Sequence, residues 1–265
     1  MKKIICLALA LLMCALPLVA CNKQEEETTT LIVGYTDYEP MNYTDENGKL
    51  VGFDTELAEA VAEKLDMEIK FQLIEWKNKY LELDSGNINC IWNGFTSNCA
   101  DDDGVQRGDK VDFSYAYMNN EQCVVVKKAN ADALNSKAAL ADKIGTAEGG
   151  SAGEGVVKEF LANEKNYVDK TAQMDTFTEV MAGTADFAVV DKTLAKTVVG
   201  KGDYADLTIV DAIEIESELY SIGFKKGSDL TAKVNEALKE LAADGTMTKL
   251  AEKYGLQNYV ITDLK

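Results

Sequence analysis

Two stretches of this chain repeat one pattern, and each ends on groups that could recognise charge. Gly86-Asn87-Ile88-Asn89 before Cys90-Ile91-Trp92 matches Gly183-Thr184-Ala185-Asp186 before Phe187-Ala188-Val189. In each, a helix ends at Gly, a strand follows, and a polar or glycine segment closes the strand. The register sets Gly94 against Asp191. Ligands of open α/β sheets bind just beyond the carboxyl ends of strands. A backbone carbonyl at Gly94 and a carboxylate at Asp191 would then face one cleft from two halves, although Asp191 could also cap a helix from Lys192 to Val199. Ser151 and Ala152 open another helix, whose free N–H groups favour an anion. Ser151 is equally a good N-cap, and both roles can hold at once.

Other chemistries find less support. The chain has no His, which removes the commonest general base and the commonest metal ligand. Asp, Glu, Lys or Tyr could still serve an enzyme, but His-based hydrolases and zinc enzymes are disfavoured. Asp101-Asp102-Asp103-Gly104 lacks the spaced ligands and distal Glu of a calcium loop, so it reads as an exposed acidic loop. No metal and no cofactor are expected. Cys90, Cys99 and Cys123 are an odd number without CxxC spacing. One disulfide or three free thiols would both fit.

The amino terminus carries a different chemistry. Lys2 and Lys3 precede an apolar run from Ile4 to Val19, and Ala20 stands before Cys21. The run is shorter than the roughly 20 residues that span a bilayer, and the layout is that of a secretory signal. Small Ala20 before Cys21, behind Leu18 and Val19, resembles a bacterial lipoprotein signal, in which the cysteine is lipidated. An ordinary cleaved signal and an uncleaved anchor are the other readings. Residues 1–20 are therefore expected to be the signal and 21–30 a solvated tether, holding the body to the outer face of a membrane. The net charge is -18, and loss of Lys2 and Lys3 takes the body to about -20, which repels nucleic acid.

The elements that must position these groups alternate. A strand over Leu31 to Tyr35 leads to a helix from Thr55 to about Asp66, capped by Asp54. Glu68 to Ile74 alternates as a strand, Trp76 to Asp84 is helical, and Ile88 to Trp92 is a buried strand. Val124 to Val126 is another strand, and the pattern restarts with a strand at Lys143 to Ala147 and a helix from Ser151. A helix over Phe177 to Ala182 and strands at Phe187 to Val190 and Leu219 to Phe224 follow, before two closing helices, Ser228 to Ala243 and Thr246 to Tyr254. Such alternation implies βαβ units and a mainly parallel sheet.

Over essentially the whole mature body the sequence resembles the polar amino-acid-binding proteins of ABC importers. The likeness rests on Tyr38-Glu39-Pro40-Met41, Asn47 to Asp54, the Trp76 helix, Ser85 to Ile88, Val111-Asp112-Phe113-Ser114, Gly150 to Glu154, Gly183 to Asp191 and Gly223 to Gly227. The resemblance implies a type II periplasmic-binding-protein fold: two α/β lobes joined by a two-strand hinge near Val124 to Lys127 and Glu218 to Phe224. Lobe 1 would hold residues 31–126 and 221–265, and lobe 2 residues 127–220. It implies that Arg107 and Thr96 meet a ligand carboxylate with the Ser151-Ala152 turn, and that Asp191 and the Gly94 carbonyl meet its ammonium. The rings of Tyr38 and Trp76 would sandwich its side chain.

Two departures stand out. Ala152 replaces a common second hydroxyl, and Asn98 to Gln106 adds several residues between Thr96 and Arg107. The expectation is a monomeric binding protein, not an enzyme, that takes a free L-amino acid and presents it to a membrane permease. Dehydratases of cyclic acids resemble the same fold and would need a cleft acid or base such as Glu39 or Asp191. A sensing module reporting to a separate receptor is the third reading.

Overall fold

The computed structural model describes residues 29–265. The expected signal, Cys21 and nearly all of the tether lie outside the described residues. In chain order the first elements are β1 (Thr30–Tyr35), β2 (Tyr43–Thr44), β3 (Leu50–Val51), α1 (Phe53–Lys64), β4 (Glu68–Leu73), α2 (Lys79–Ser85), β5 (Cys90–Ile91), α3 (Arg107–Lys110), β6 (Asp112–Phe113) and β7 (Met118–Lys127). Then come α4 (Lys137–Leu140), β8 (Gly145–Glu148), α5 (Ala152–Phe160), β9 (Tyr167–Lys170), α6 (Gln173–Ala182), β10 (Phe187–Asp191) and α7 (Lys192–Val198). The chain closes with β11 (Leu207–Ile209), β12 (Ser217–Tyr220), β13 (Gly223–Phe224), α8 (Asp229–Ala243) and α9 (Thr246–Lys253).

The strands form two main sheets, one per lobe. The first has the order β4-β1-β5-β13-β6 and the second β11-β7-β10-β8-β9. β1 runs parallel to β4 and β5, and β8 parallel to β9 and β10. β7 and β13 enter antiparallel, as expected where the chain passes between lobes rather than through a crossover helix.

β7 explains how the second lobe buries both sheet faces. Val124 and Val126 pack with Val157 and Phe160 on one side, while Val125 packs with Phe177, Val180 and Leu194 on the other. Side chains alternate faces along a strand, so one apolar run serves two layers.

The hinge differs from the expected position. The lobes are joined by Met118–Glu121 of β7 paired with Ser217–Tyr220 of β12, whereas Val124 to Lys127 pairs with β10 and β11 inside the second sheet. The run expected as one strand from Leu219 to Phe224 is divided, because β12 belongs to the hinge and β13 to the first sheet. Asp54 is also not a cap. It lies in the first turn of α1, and its carboxylate accepts from the Gly94 amide and the Tyr117 hydroxyl at 2.8 and 2.9 Å. All three described cysteines are free. Among the described residues no helix is long and apolar enough to cross a membrane.

Candidate functional site

A small pocket lies between the lobes. The first lobe lines it with Trp76, Asn93, Gly94, Thr96 and Arg107, and the second with Glu148, Ser151, Ala152, Gln173 and Asp191. Gln122, just past the hinge on β7, completes it. The carboxyl ends of β5, β8 and β10 all point here.

From the first lobe, the loop after β5 turns at Gly94, whose φ of +60° favours glycine. A Cβ there would also stand 2.7 Å from the Tyr38 ring. Arg107 is 1% exposed, although several extra residues precede it. The insertion folds back on itself, pairing Ala100 with Gln106, so the chain re-enters the site in place. The Arg107 guanidinium lies 5.1 Å from the Phe95 ring centroid. It donates to Thr96 O at 3.0 Å, to Gly150 O across the cleft at 3.2 Å, and to Asp101 Oδ1 at 2.8 Å. Burial works to raise the Asp101 carboxyl, but Arg107, Tyr80 and Lys110 outweigh it and hold it down at about 2. The acidic loop thus supplies one partner to the site's arginine.

From the second lobe, Ser151 caps α5, its Oγ accepting from Glu154 N at 3.2 Å. Glu154 reaches back to Gly150 N at 2.6 Å. This reciprocal arrangement is a capping box whose acid grips one residue earlier than usual. It fixes the turn so that the first amides of α5 open toward the pocket.

Asp191 does not cap α7. Its Oδ1 accepts from Asn120 Nδ2 and Gln122 Nε2, both at 2.7 Å, and from the Tyr220 hydroxyl at 2.8 Å. Gln173 Nε2 donates to Oδ2 at 2.5 Å. Burial raises the Asp191 carboxyl above its ordinary value, and these four bonds oppose that rise. Asn120 and Gln122 also donate to Glu218, at 2.9 and 3.0 Å, as does Thr96 Oγ1 at 3.2 Å. Glu218 is pushed up to about 7 by burial and then by Asp191.

Tyr38 is not on the lining. Its hydroxyl bonds Tyr220 OH at 2.8 Å and Thr193 Oγ1 from the other lobe. Trp76 is on the lining, set edge-on to Phe95 with centroids 5.3 Å apart. Asn93, Gln122, Glu148, Gln173 and, beside the lining, Lys79 escape a reading of the sequence. Glu148 closes β8, Gln173 and Lys79 open helices and Asn93 follows β5, where polar residues are common, while Gln122 lies within β7. Lys79 is only 2% exposed and donates to Gly150 O at 2.8 Å, its ammonium over the Tyr80 ring at 4.7 Å. Burial, and then Arg107, bring its pKa down to about 7. Lys77–Asp169 and Lys158–Asp102 are further ion pairs between the lobes, both at 2.7 Å. The cleft is closed in this structure.

No cluster of His, Cys, Asp and Glu among the described residues is arranged to hold a metal. What the pocket offers is a guanidinium and a helix start for an anion, and carboxylates for a cation, divided between two bodies.

Comparison with known proteins agrees with this arrangement. The family model of bacterial extracellular solute-binding proteins, family 3, matches residues 31–257. The chain is 30% identical over 244 residues to the arginine-binding extracellular protein ArtP of Bacillus subtilis, covering 89% of this chain and 92% of that one. A solved ancestral arginine-binding protein bound to arginine has a TM-score of 0.76 and 34% identity, covering 85% of this chain and 98% of that one. The substrate-binding protein of an ABC uptake transporter from Streptococcus pneumoniae, with bound histidine, has a TM-score of 0.75 and 28% identity, covering 85% and 92%.

Proposed function

This chain belongs to the bacterial extracellular solute-binding proteins, family 3, and from that membership we propose that it captures a free L-amino acid between its lobes and delivers it to an ABC importer. The observation that carries the reading is the division of charge in the pocket. Arg107 stands on one lobe, and Asp191 with the start of α5 stands on the other. A zwitterion satisfies both only when the lobes meet, so its binding shifts an open–closed equilibrium by differential contacts. A permease that touches both lobes can read closure.

In this reading Arg107, Thr96 and the Ser151-Ala152 amides hold the carboxylate. Asp191 and the Gly94 carbonyl hold the ammonium, and Trp76 packs on the side chain. Tyr38 acts from behind, through its ring against Gly94. The protein works as a monomer and performs capture rather than turnover: Asp191, one of the two acids that a dehydratase could use beside Glu39, is engaged by four donors.

Calorimetric titration with the common L-amino acids tests the reading. At least one should bind and raise the melting temperature, since a ligand at a hundred times its Kd adds about 2.7 kcal/mol. Failure of all of them, with conversion of a cyclic acid instead, would favour the enzyme. We further propose that Cys21 is lipidated and tethers the body to the membrane. Cys21→Ser should then move the protein from the membrane fraction to the soluble fraction. An unchanged distribution would exclude the lipid.

A further inference from the structure

Charge in the pocket does not balance within the protein. Arg107 is the cation on the lining, and its Nε is already paired with Asp101 at 2.8 Å. Two carboxylates share that lining, Glu148 and Asp191. Asp191 is held by four neutral donors. Glu148 is 3% exposed, and its Oε1 is enclosed with no hydrogen-bond partner among the described residues.

Native structures rarely leave such an atom unpaired, because a desolvated carboxylate without a partner is costly. Lys79 is the cation that faces Glu148, but its ammonium donates to Gly150 O. The other titratable groups around Glu148 are acids: Asp191 on β10, Asp169 on β9 and Asp175 on α6. Burial, and then Asp191, raise its carboxyl well above the ordinary range, with Lys79 alone opposing.

We propose that Glu148 reads the ligand's side chain, and that the ligand is an amino acid whose side chain is cationic, of the arginine or lysine kind. This rests on the amino-acid-binding reading and narrows it. The main-chain carboxylate and ammonium of a ligand answer Arg107 and Asp191, leaving Glu148 as the group without a counterpart. A cationic side chain supplies both charge and donors to it. A neutral side chain leaves it buried and unpaired, and an acidic one stands against it.

The test is calorimetry on the purified full chain near pH 7 with L-arginine, L-lysine, L-glutamine and L-glutamate. Arginine or lysine should bind at least tenfold more tightly than glutamine, with glutamate weakest. Glu148→Gln should shrink the preference for the cation over glutamine by tenfold or more. Should that variant fail to fold, the wild-type protein still decides, by titration in buffers of different ionisation enthalpy. Binding of the cationic ligand should release protons, because the ligand draws Glu148 toward its charged form, and binding of glutamine should release fewer. Preference for glutamine or glutamate, an intact preference in Glu148→Gln, or no proton release would each overturn the inference. Absence of binding by every common amino acid would instead remove the reading beneath it.

Discussion

A guanidinium carries five N–H donors, and at Arg107 three are used by Asp101, Thr96 and Gly150. Two remain for a ligand, in a planar fork held by the Phe95 ring. Arg107→Ala should therefore cost about 2–5 kcal/mol of amino-acid binding, much of it from leaving a desolvated ligand carboxylate without its counter-charge. Calorimetry with the tightest amino acid of the panel measures this, and an affinity within twofold of wild type would remove Arg107 from the site. Residue types predicted unevenly here. Asp191 stood out from its strand end and Ser151 from its helix start, whereas Arg107 and Thr96 came from the family resemblance alone. Glu148 and Gln173 did not stand out, since an acid after a strand or an amide at a helix start looks the same whether solvated or buried. Tyr38 was expected to sandwich the ligand's side chain and lies off the lining instead. Its hydroxyl partners, Thr193 and Tyr220, are 155 and 182 residues away in the chain, which no local pattern encodes.

Among the elements, β8 and β10 bring Glu148 and Asp191 to the same edge, and their close approach depends on Gly145. A Cβ at that position would meet Phe187 Cζ at 2.5 Å and Val157 Cγ1 at 2.7 Å. Gly145→Ala should destabilise the fold by about 1–3 kcal/mol through overpacking, read as a lower urea midpoint; an unmoved midpoint would mean that the second lobe can relax around the methyl. The alternation of strand and helix was readable because periods of 2 and 3.6 are local properties. The hinge was not. Val124 to Val126 is apolar on both faces whichever sheet it joins, and only pairing with β10 and β12 reveals that the lobes part near Met118 to Glu121. The cap assigned to Asp54 failed for a related reason, since its partners Gly94 and Tyr117 come from other segments.

At the scale of the molecule, buried acids set the response to pH. Burial takes Asp54 up to about 7, and burial with Asp191 takes Glu218 to about 7. A carboxyl raised in the folded state binds its proton more tightly there than in the unfolded chain. Its contribution is complete below about pH 4 and is lost as pH climbs to 7, at up to about 1.4 kcal/mol per unit for each group. Lys79, lowered to about 7 by burial and then Arg107, acts oppositely and adds stability as pH rises from about 7 toward 10.5. On the acid side Asp101, held at about 2, loses its contribution between about pH 4 and 2. The melting temperature without added ligand should thus be higher at pH 5 than at pH 7.5, and Asp54→Asn should flatten the difference. A melting temperature that is level or rises across that interval would contradict it.

The oxygen at Gly150 has one more implication. Two cationic side chains of the opposite lobe, Lys79 and Arg107, converge on it, and it belongs to the peptide bond. Mutation at position 150 can bend the loop, whose φ of +75° already suits glycine, but cannot delete that acceptor. Drift or engineering that loosens this one contact must therefore act on the two donors, one of which is also the arginine assigned to the cargo.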